Sequence, residues 1–165
     1  MLSSILIIGI GTEGRGDDEA GLRVARILRS MNLPSEVSIV EMSGDGAALM
    51  ERWKDSPWVI LVDSVKTDVP PGTIFRIDAH HQIMPADVCA TTSHAFGLAQ
   101  ALAIGLALDE LPPSIIVYGI QGERFEIGSE PSVEVTRAIR ECVDSVRAEV
   151  HRILNVEPEA EIVID

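Results

Sequence analysis

The fold of this chain is decided by the stretch Ile5–Leu28, which reads ILIIGIGTEGRGDDEAGLRVARIL. Its apolar beginning, Ile5–Ile8, predicts a buried β-strand. A glycine-rich turn follows, and the segment after it predicts an amphipathic helix, because its apolar residues recur at helical spacing: Ala20, Val24, Ile27, Leu28 and Met31. Asp17 and Asp18 are therefore expected where the strand crosses to the helix, at the positive end of the helix dipole.

The same glycines match a dinucleotide-binding fingerprint, G-x-G-x-x-G, over residues 9–14. In that fingerprint, backbone N–H groups approach a pyrophosphate at the N-terminus of a helix. Here Glu13, Asp17 and Asp18 crowd the same place, and Arg15 is the counter-charge. Because an anion would face three carboxylates, the pattern favours a cation, and nucleotide binding is kept as an alternative.

Composition narrows the class of protein. The net charge of −13, with no basic cluster, argues against nucleic acid or an anionic membrane as partner, and it permits a cation or a basic segment of another protein. The chain start has no basic region typical of a signal peptide, and the longest apolar run, residues 95–108, is too short to span a bilayer. We therefore expect a cytoplasmic protein. Cys89 and Cys142 form neither a disulfide framework nor a zinc motif.

The rest of the chain alternates predicted strands with predicted helices. Residues 58–62 are nearly all apolar, which is typical of a strand buried on both faces of a parallel sheet. The segment 73–77 follows that strand after a short connection, which predicts an antiparallel strand at the edge of the sheet. Further strands are expected at residues 37–42 and 115–120, and helices at 18–31, 47–53, 94–108 and from Pro131 onwards. The pattern predicts a three-layer α/β/α sandwich with a mainly parallel sheet, in one domain over residues 1–154 with an acidic tail at 155–165.

Polar residues follow the carboxyl ends of these strands, where α/β sheets bind ligands. They are Asp17, Asp18, Glu41, Asp45, Asp63, the segment Thr91–His94 and Gln121. We expect Asp18, Asp63 and His94 to approach one point. Two carboxylates and an imidazole suit a divalent cation such as zinc, nickel, iron or manganese. The carboxylates could instead share a proton for acid–base catalysis.

Each candidate also has a purely structural interpretation. Asp17 or Asp18 could cap the first helix, and Asp63 could simply end its strand. His94 is a single histidine beside Ser93, which could cap the following helix without taking part in any chemistry. The residues alone leave these interpretations open.

The spacing of Gly9–Gly11, Gly16–Asp18, Val62–Asp63 and Thr92–His94 resembles that of the hydrogenase maturation endopeptidases. It is most similar to the branch that serves formate-hydrogenlyase-type NiFe hydrogenases. The resemblance runs from the first strand to the last helix, and it implies a twisted, mostly parallel five-stranded sheet between helices. It also implies an aspartic-type, nickel-dependent endopeptidase that removes a C-terminal extension from the precursor of the hydrogenase large subunit, after nickel insertion.

The resemblance assigns metal contact and catalysis to Asp18, Asp63 and His94. The nickel would arrive with the precursor, so no resident cofactor is expected, although another divalent metal could act as a surrogate. We expect a monomer or a weak dimer.

This chain departs from the family pattern at the cleft. Thr12 replaces the usual Asn, the loop Glu41–Gly46 replaces Asp-Gly-Gly, and Gly122 replaces a proline of the related branch. Three alternatives stay open: a metal-dependent hydrolase with its own ion and a small substrate, a nucleotide-binding module that uses residues 9–14, and a non-catalytic adaptor for a basic partner.

Overall fold

The structure, a computed structural model, describes residues 4–84 and 96–155 of the chain. Within these ranges the strands are β1 (Ile5–Ile10), β2 (Val37–Met42), β3 (Trp58–Val65), β4 (Ile74–Asp78) and β5 (Ser114–Gln121). The α-helices are α1 (Ala20–Ser30), α2 (Gly46–Trp53), α3 (Leu98–Ala107) and α4 (Val133–Leu154). A short 3₁₀ turn, Gly16–Glu19, precedes α1.

The strands form one five-stranded sheet in the order β2-β1-β3-β5-β4. Its pairs are parallel except for β4, which runs antiparallel to β5 at the edge. The predicted three-layer fold and the antiparallel edge strand are therefore confirmed. Because Gly9 of β1 pairs with Val62 of β3, the loop after β1 and the residue Asp63 lie at the same edge of the sheet.

Two apolar layers cover the two faces of the sheet. One layer packs α1 and α4 against it and includes Ile60 and Val62 of β3, whereas the other packs α2 and α3 and includes Leu61 and Val65. Side chains alternate between faces along a strand. Ser64 therefore continues the α1/α4 face of β3, and Asp63 continues the α2/α3 face.

Glycines allow α1 to lie very close to the sheet. A Cβ on Gly21 would lie 2.2 Å from the carbonyl oxygen of Ile10 and 2.3 Å from that of Val62, so no larger residue fits without moving backbone. A Cβ on Gly9 would similarly meet the carbonyl oxygen of Gly21 at 2.3 Å. This close approach brings the start of α1, and the 3₁₀ turn before it, against β1 and β3.

Some predictions fall partly or wholly outside the described residues. Cys89 and the expected start of α3 at His94 lie in residues 85–95, which are outside the described ranges. The predicted acidic tail lies outside them as well, except for its first residue, Asn155. Asn155 ends α4 in a left-handed conformation with φ of 52°. Cys142 is buried on the apolar face of α4, and burial raises the pKa of its thiol to about 12. In the described part of the chain, no helix has the length and apolar character needed to cross a membrane.

Candidate active site

Two buried carboxylates, those of Asp18 and Asp63, meet at the carboxyl edge of the sheet. Asp18 comes from the 3₁₀ turn before α1 and is 2% exposed, and Asp63 comes from β3 and is 8% exposed. Both contact Ser64: its hydroxyl donates to Oδ1 of Asp18 at 2.9 Å, and its backbone N–H donates to Oδ1 of Asp63 at 2.8 Å. The structure thus brings together two of the three side chains that were expected to approach one point.

Burial and the neighbouring charge of Asp18 make the ionised form of Asp63 unfavourable. Burial raises the pKa of Asp63 well above its ordinary value, and the negative charge of Asp18 raises it further, while the N–H of Ser64 acts in the opposite direction. Two desolvated carboxylates side by side are stabilised by a cation or by a shared proton. The arrangement can therefore hold a divalent metal or exchange a proton with a substrate.

His94, the third predicted site residue, lies outside the described residues. The described chain resumes at Phe96, whose carbonyl accepts the N–H of Gly46 at 2.9 Å, and α3 then covers the sheet face to which Asp63 belongs. Among residues 4–84 and 96–155, no group of three or more His, Cys, Asp or Glu side chains could hold a metal ion. The described part of the site is therefore the carboxylate pair.

Asp17 points into a different network from its neighbour. Its carboxylate is fully buried and accepts the backbone N–H groups of Ser132 (2.6 Å), Glu123 (2.8 Å) and Arg124 (2.9 Å), as well as the Ser132 hydroxyl. Asp17 thereby fastens the loop between β5 and α4. Neither Asp17 nor Asp18 caps α1, because the N-cap position belongs to Glu19.

Two other acids that were expected near the crevice, Glu41 and Asp45, are engaged in local structure. Glu41 accepts hydrogen bonds from Arg26 and Arg29 of α1, at 2.9 Å each, so its carboxylate is neutralised at the surface. Asp45 is the N-cap of α2 and accepts the N–H of Ala47 at 3.1 Å. Asp45 follows β2 as predicted, whereas Glu41 lies within β2, and both side chains take part in local hydrogen bonds.

Gln121 is likewise occupied. Its Oε1 accepts both the N–H and the hydroxyl of Thr67, at 2.9 and 2.7 Å, and its amide nitrogen donates to the carbonyl of Gly122 at 2.9 Å. The side chain thus ties the connection after β3 to the end of β5.

The glycine fingerprint does not form an anion-binding loop. A pyrophosphate needs backbone N–H groups that point outward at the helix N-terminus. Three of the loop's N–H groups donate within the chain: Gly11 to the carbonyl of Met42 (3.1 Å), Thr12 to the carbonyl of Asp18 (3.3 Å) and Gly14 to Oε1 of Glu19 (2.6 Å). This geometry gives the nucleotide-binding alternative no support.

Ser64 is the site residue that sequence analysis missed. The available signal was the alternation of side chains along β3. Asp63 ends the apolar run, and Ser64, a small polar residue, follows it on the same face as Ile60 and Val62. That alternation places Ser64 on the α1 side, but only the packed structure shows that its hydroxyl reaches Asp18.

Comparison with known proteins identifies the family. The family model described as "HycI: Hydrogenase maturation protease" matches residues 22–150. This chain belongs to the hydrogenase maturation protease family. It is a hydrolase, an endopeptidase of hydrogenase maturation, as the resemblance of its motifs implies.

Individual relatives agree with this assignment. A protein of Methanocaldococcus jannaschii named as a hydrogenase maturation protease is 29% identical over 153 residues, which cover 90% of this chain and 97% of the relative. The solution structure of an endopeptidase from Escherichia coli has a TM-score of 0.78 at 23% identity, covering 95% of this chain and 96% of that chain. The hydrogenase maturating endopeptidase HybD of E. coli has a TM-score of 0.74 at 21% identity, covering 93% and 94%. The two structures share the fold described above.

Proposed function

We propose that this endopeptidase removes the C-terminal extension from the precursor of a NiFe hydrogenase large subunit after nickel has been inserted. Family membership supports the reaction class. The observation that supports the nickel requirement is the buried pair of Asp18 and Asp63, because burial and the negative charge of Asp18 raise the pKa of Asp63 and so make its ionised form unfavourable. A cation delivered by the substrate relieves that repulsion at the moment of docking.

In this proposal Asp18, Asp63 and His94 complete the coordination of nickel already held by the precursor. Carboxylate and imidazole ligands suit a divalent ion of this kind. Nickel is then part of the substrate and no resident cofactor is required, although another divalent metal can serve as a surrogate. Docking through the metal places the scissile peptide in the crevice beyond the carboxyl ends of β1 and β3.

The attacking group in the proposal is water, activated by nickel as a Lewis acid or by one of the two carboxylates as a general base. The activation by carboxylate would make the enzyme aspartic in type. A covalent acyl-enzyme fits the described site less well, because Cys142 is buried in the core and Ser64 is 1% exposed, out of reach of a peptide.

The proposed partner is the precursor alone, with the enzyme a monomer or weak dimer in the cytoplasm. The net charge of −13 on the enzyme suits binding to a basic segment of that precursor rather than to nucleic acid. The branch that serves formate-hydrogenlyase-type hydrogenases stays our proposal for the client.

The test is tail release from purified precursor, with and without nickel, followed by intact-mass measurement. We expect the wild-type enzyme to cleave the nickel-loaded precursor, and Asp63→Asn and His94→Ala to fail while circular dichroism shows a retained fold. Asp144→Asn, which changes an exposed acid of α4, is the matched control and should cleave normally. Equal cleavage of nickel-free precursor by the wild-type enzyme would refute nickel recognition.

Metal analysis of the purified chain separates this proposal from a hydrolase with its own ion. We expect less than one bound metal ion per chain. A tightly held, stoichiometric metal that is needed to hydrolyse a small substrate would favour the alternative.

A further inference from the structure

Ser64 touches both carboxylates of the candidate site with two different donors. Its hydroxyl serves Asp18 and its backbone N–H serves Asp63, at 2.9 and 2.8 Å. Asp18 and Ser64 are 46 positions apart in the chain, so the hydroxyl contact joins the 3₁₀ turn to β3. One residue is thus hydrogen-bonded to both acids.

The geometry depends on the alternation of β3. The side chain of Ser64 continues the face that packs against α1, where the 3₁₀ turn carries Asp18, while Asp63 continues the opposite face. The two carboxylates therefore approach each other around the end of the sheet. The residue directly after Asp63 has its side chain on the α1 side of β3. From that position a single residue can donate hydrogen bonds to both carboxylates.

Ser64 is too deeply buried to act on substrate itself. It is 1% exposed and its hydroxyl is engaged with Asp18, so an attacking or proton-donating role toward a peptide does not fit. A hydroxyl that donates to a ligand carboxylate restricts the rotation of that carboxylate. Such outer partners of metal ligands commonly change metal affinity or activity about 10–100-fold when they are removed.

We propose that Ser64 is a positioning residue that orients Asp18 relative to Asp63 for contact with the metal ion. The inference rests on the proposed function, and it adds to that function a residue that touches neither metal nor peptide. The hydroxyl is the active part, because the backbone N–H remains when the side chain is replaced.

The experiment compares Ser64→Ala with Ser64→Thr, which keeps a hydroxyl. Two quantities are measured: kcat/KM for tail release from nickel-loaded precursor, and the affinity of the free enzyme for Cd²⁺ by calorimetric titration with cadmium chloride. Ser64→Ala should lower both about tenfold or more, with a melting temperature near that of the wild type. Ser64→Thr should keep both within about threefold of the wild-type values, since it retains the donor.

Ser30→Ala is the matched control, because it removes an exposed hydroxyl that donates to the carbonyl of Ile27 at the far end of α1. It should change neither quantity. Unchanged cadmium affinity and kcat/KM in a folded Ser64→Ala would overturn the positioning role, and so would equal losses in folded Ala and Thr variants. If Thr does not fold at this buried position, the comparison of Ala with wild type still decides.

The two proposals fail in different ways. Failure of the wild-type enzyme to cleave the nickel-loaded precursor would refute the proposed function. The positioning role of Ser64 would then be tested by the cadmium affinity alone. A wild-type enzyme that neither cleaves nor binds cadmium overturns both. A wild-type enzyme that cleaves normally beside an equally active Ser64→Ala overturns only the positioning role.

Discussion

The carboxylate of Asp17 accepts the backbone N–H of Ser132 at 2.6 Å, across 115 positions of chain. Ser132 is also the N-cap of α4, where its hydroxyl accepts the N–H of Val135. Asp17 therefore fastens the start of the longest helix to the turn that carries Asp18. Two adjacent aspartates have separate tasks, one in stability and one in the candidate site.

This division predicts opposite phenotypes for two neighbouring substitutions. Asp17→Asn puts an amide NH₂ group where N–H donors converge, so we expect the free energy of unfolding to fall by about 2–3 kcal/mol. Asp18→Asn should leave that free energy unchanged or slightly higher and abolish tail release. Urea denaturation and the cleavage assay measure the two effects. Equal destabilisation by both substitutions would contradict the division.

The pH dependence of stability should reveal Asp63. Its pKa is raised in the folded state, so the folded protein binds a proton more tightly than the unfolded chain, and its contribution to stability falls as pH rises through the folded pKa. Asp63→Asn should therefore be more stable than wild type at pH 7, by about 1 kcal/mol.

The advantage of Asp63→Asn should shrink as pH falls through the folded pKa and be gone near the ordinary value of 3.8. Thermal unfolding of both proteins between pH 3 and pH 8 measures this difference, and comparing them cancels the titration of the other acids. A difference that does not vary with pH would show that Asp63 keeps an ordinary pKa in the folded protein.

Glu149 is a buried acid of α4 with the opposite behaviour. Burial raises its pKa, but hydrogen bonds from Arg76 and Tyr118 outweigh that effect and the net pKa is lowered. Its stabilising contribution is therefore present above the ordinary value of 4.5 and is lost as pH falls through the folded pKa. Glu149→Gln should lower the free energy of unfolding at pH 7 by about 2 kcal/mol.

Because the Glu149 side chain accepts hydrogen bonds from Arg76 of β4 and Tyr118 of β5 on the α4 face of the sheet, we expect Glu149→Gln to keep kcat/KM for tail release close to wild type. Denaturation at pH 7 and at pH 3.5 checks the sign, since the effect should be smaller at the lower pH. An effect that grows on acidification would contradict the lowered pKa.

Gly21→Ala tests the close packing of α1. Its Cβ would meet backbone oxygens of Ile10 and Val62, which cannot move without shifting two strands, so we expect a loss of more than about 2 kcal/mol in unfolding free energy. Gly105→Ala is the matched control within α3, because its nearest neighbour is the side chain of Leu111. The control should change stability by less than about 1 kcal/mol. Similar losses in both variants would argue against the backbone contact.

Periodicity predicted most of the fold because it records which side chains are buried. The apolar run of β3 and the helical spacing in α1 indicated a covered, mainly parallel sheet, and the short connection before β4 indicated its antiparallel edge. The same reasoning placed Asp18 and Asp63 at one edge, since parallel neighbours end together.

The pattern could not say which polar side chains turn into the crevice. Asp45 caps its own helix and Gln121 holds the loop of Thr67, because each finds hydrogen-bond partners nearby once the chain is folded. Position after a strand is a property of the sequence, whereas the choice among available donors is made in three dimensions.

By itself, the sequence determined the layered fold, the family resemblance and the expectation that Asp18 and Asp63 lie at one edge of the sheet, because burial follows from hydrophobic patterning. Only the tertiary structure decided that Asp17 fastens α4 and that Ser64 bridges the two acids. Those assignments depend on hydrogen bonds between segments distant in the chain, and such bonds form only where packing brings a donor and an acceptor within about 3 Å of each other.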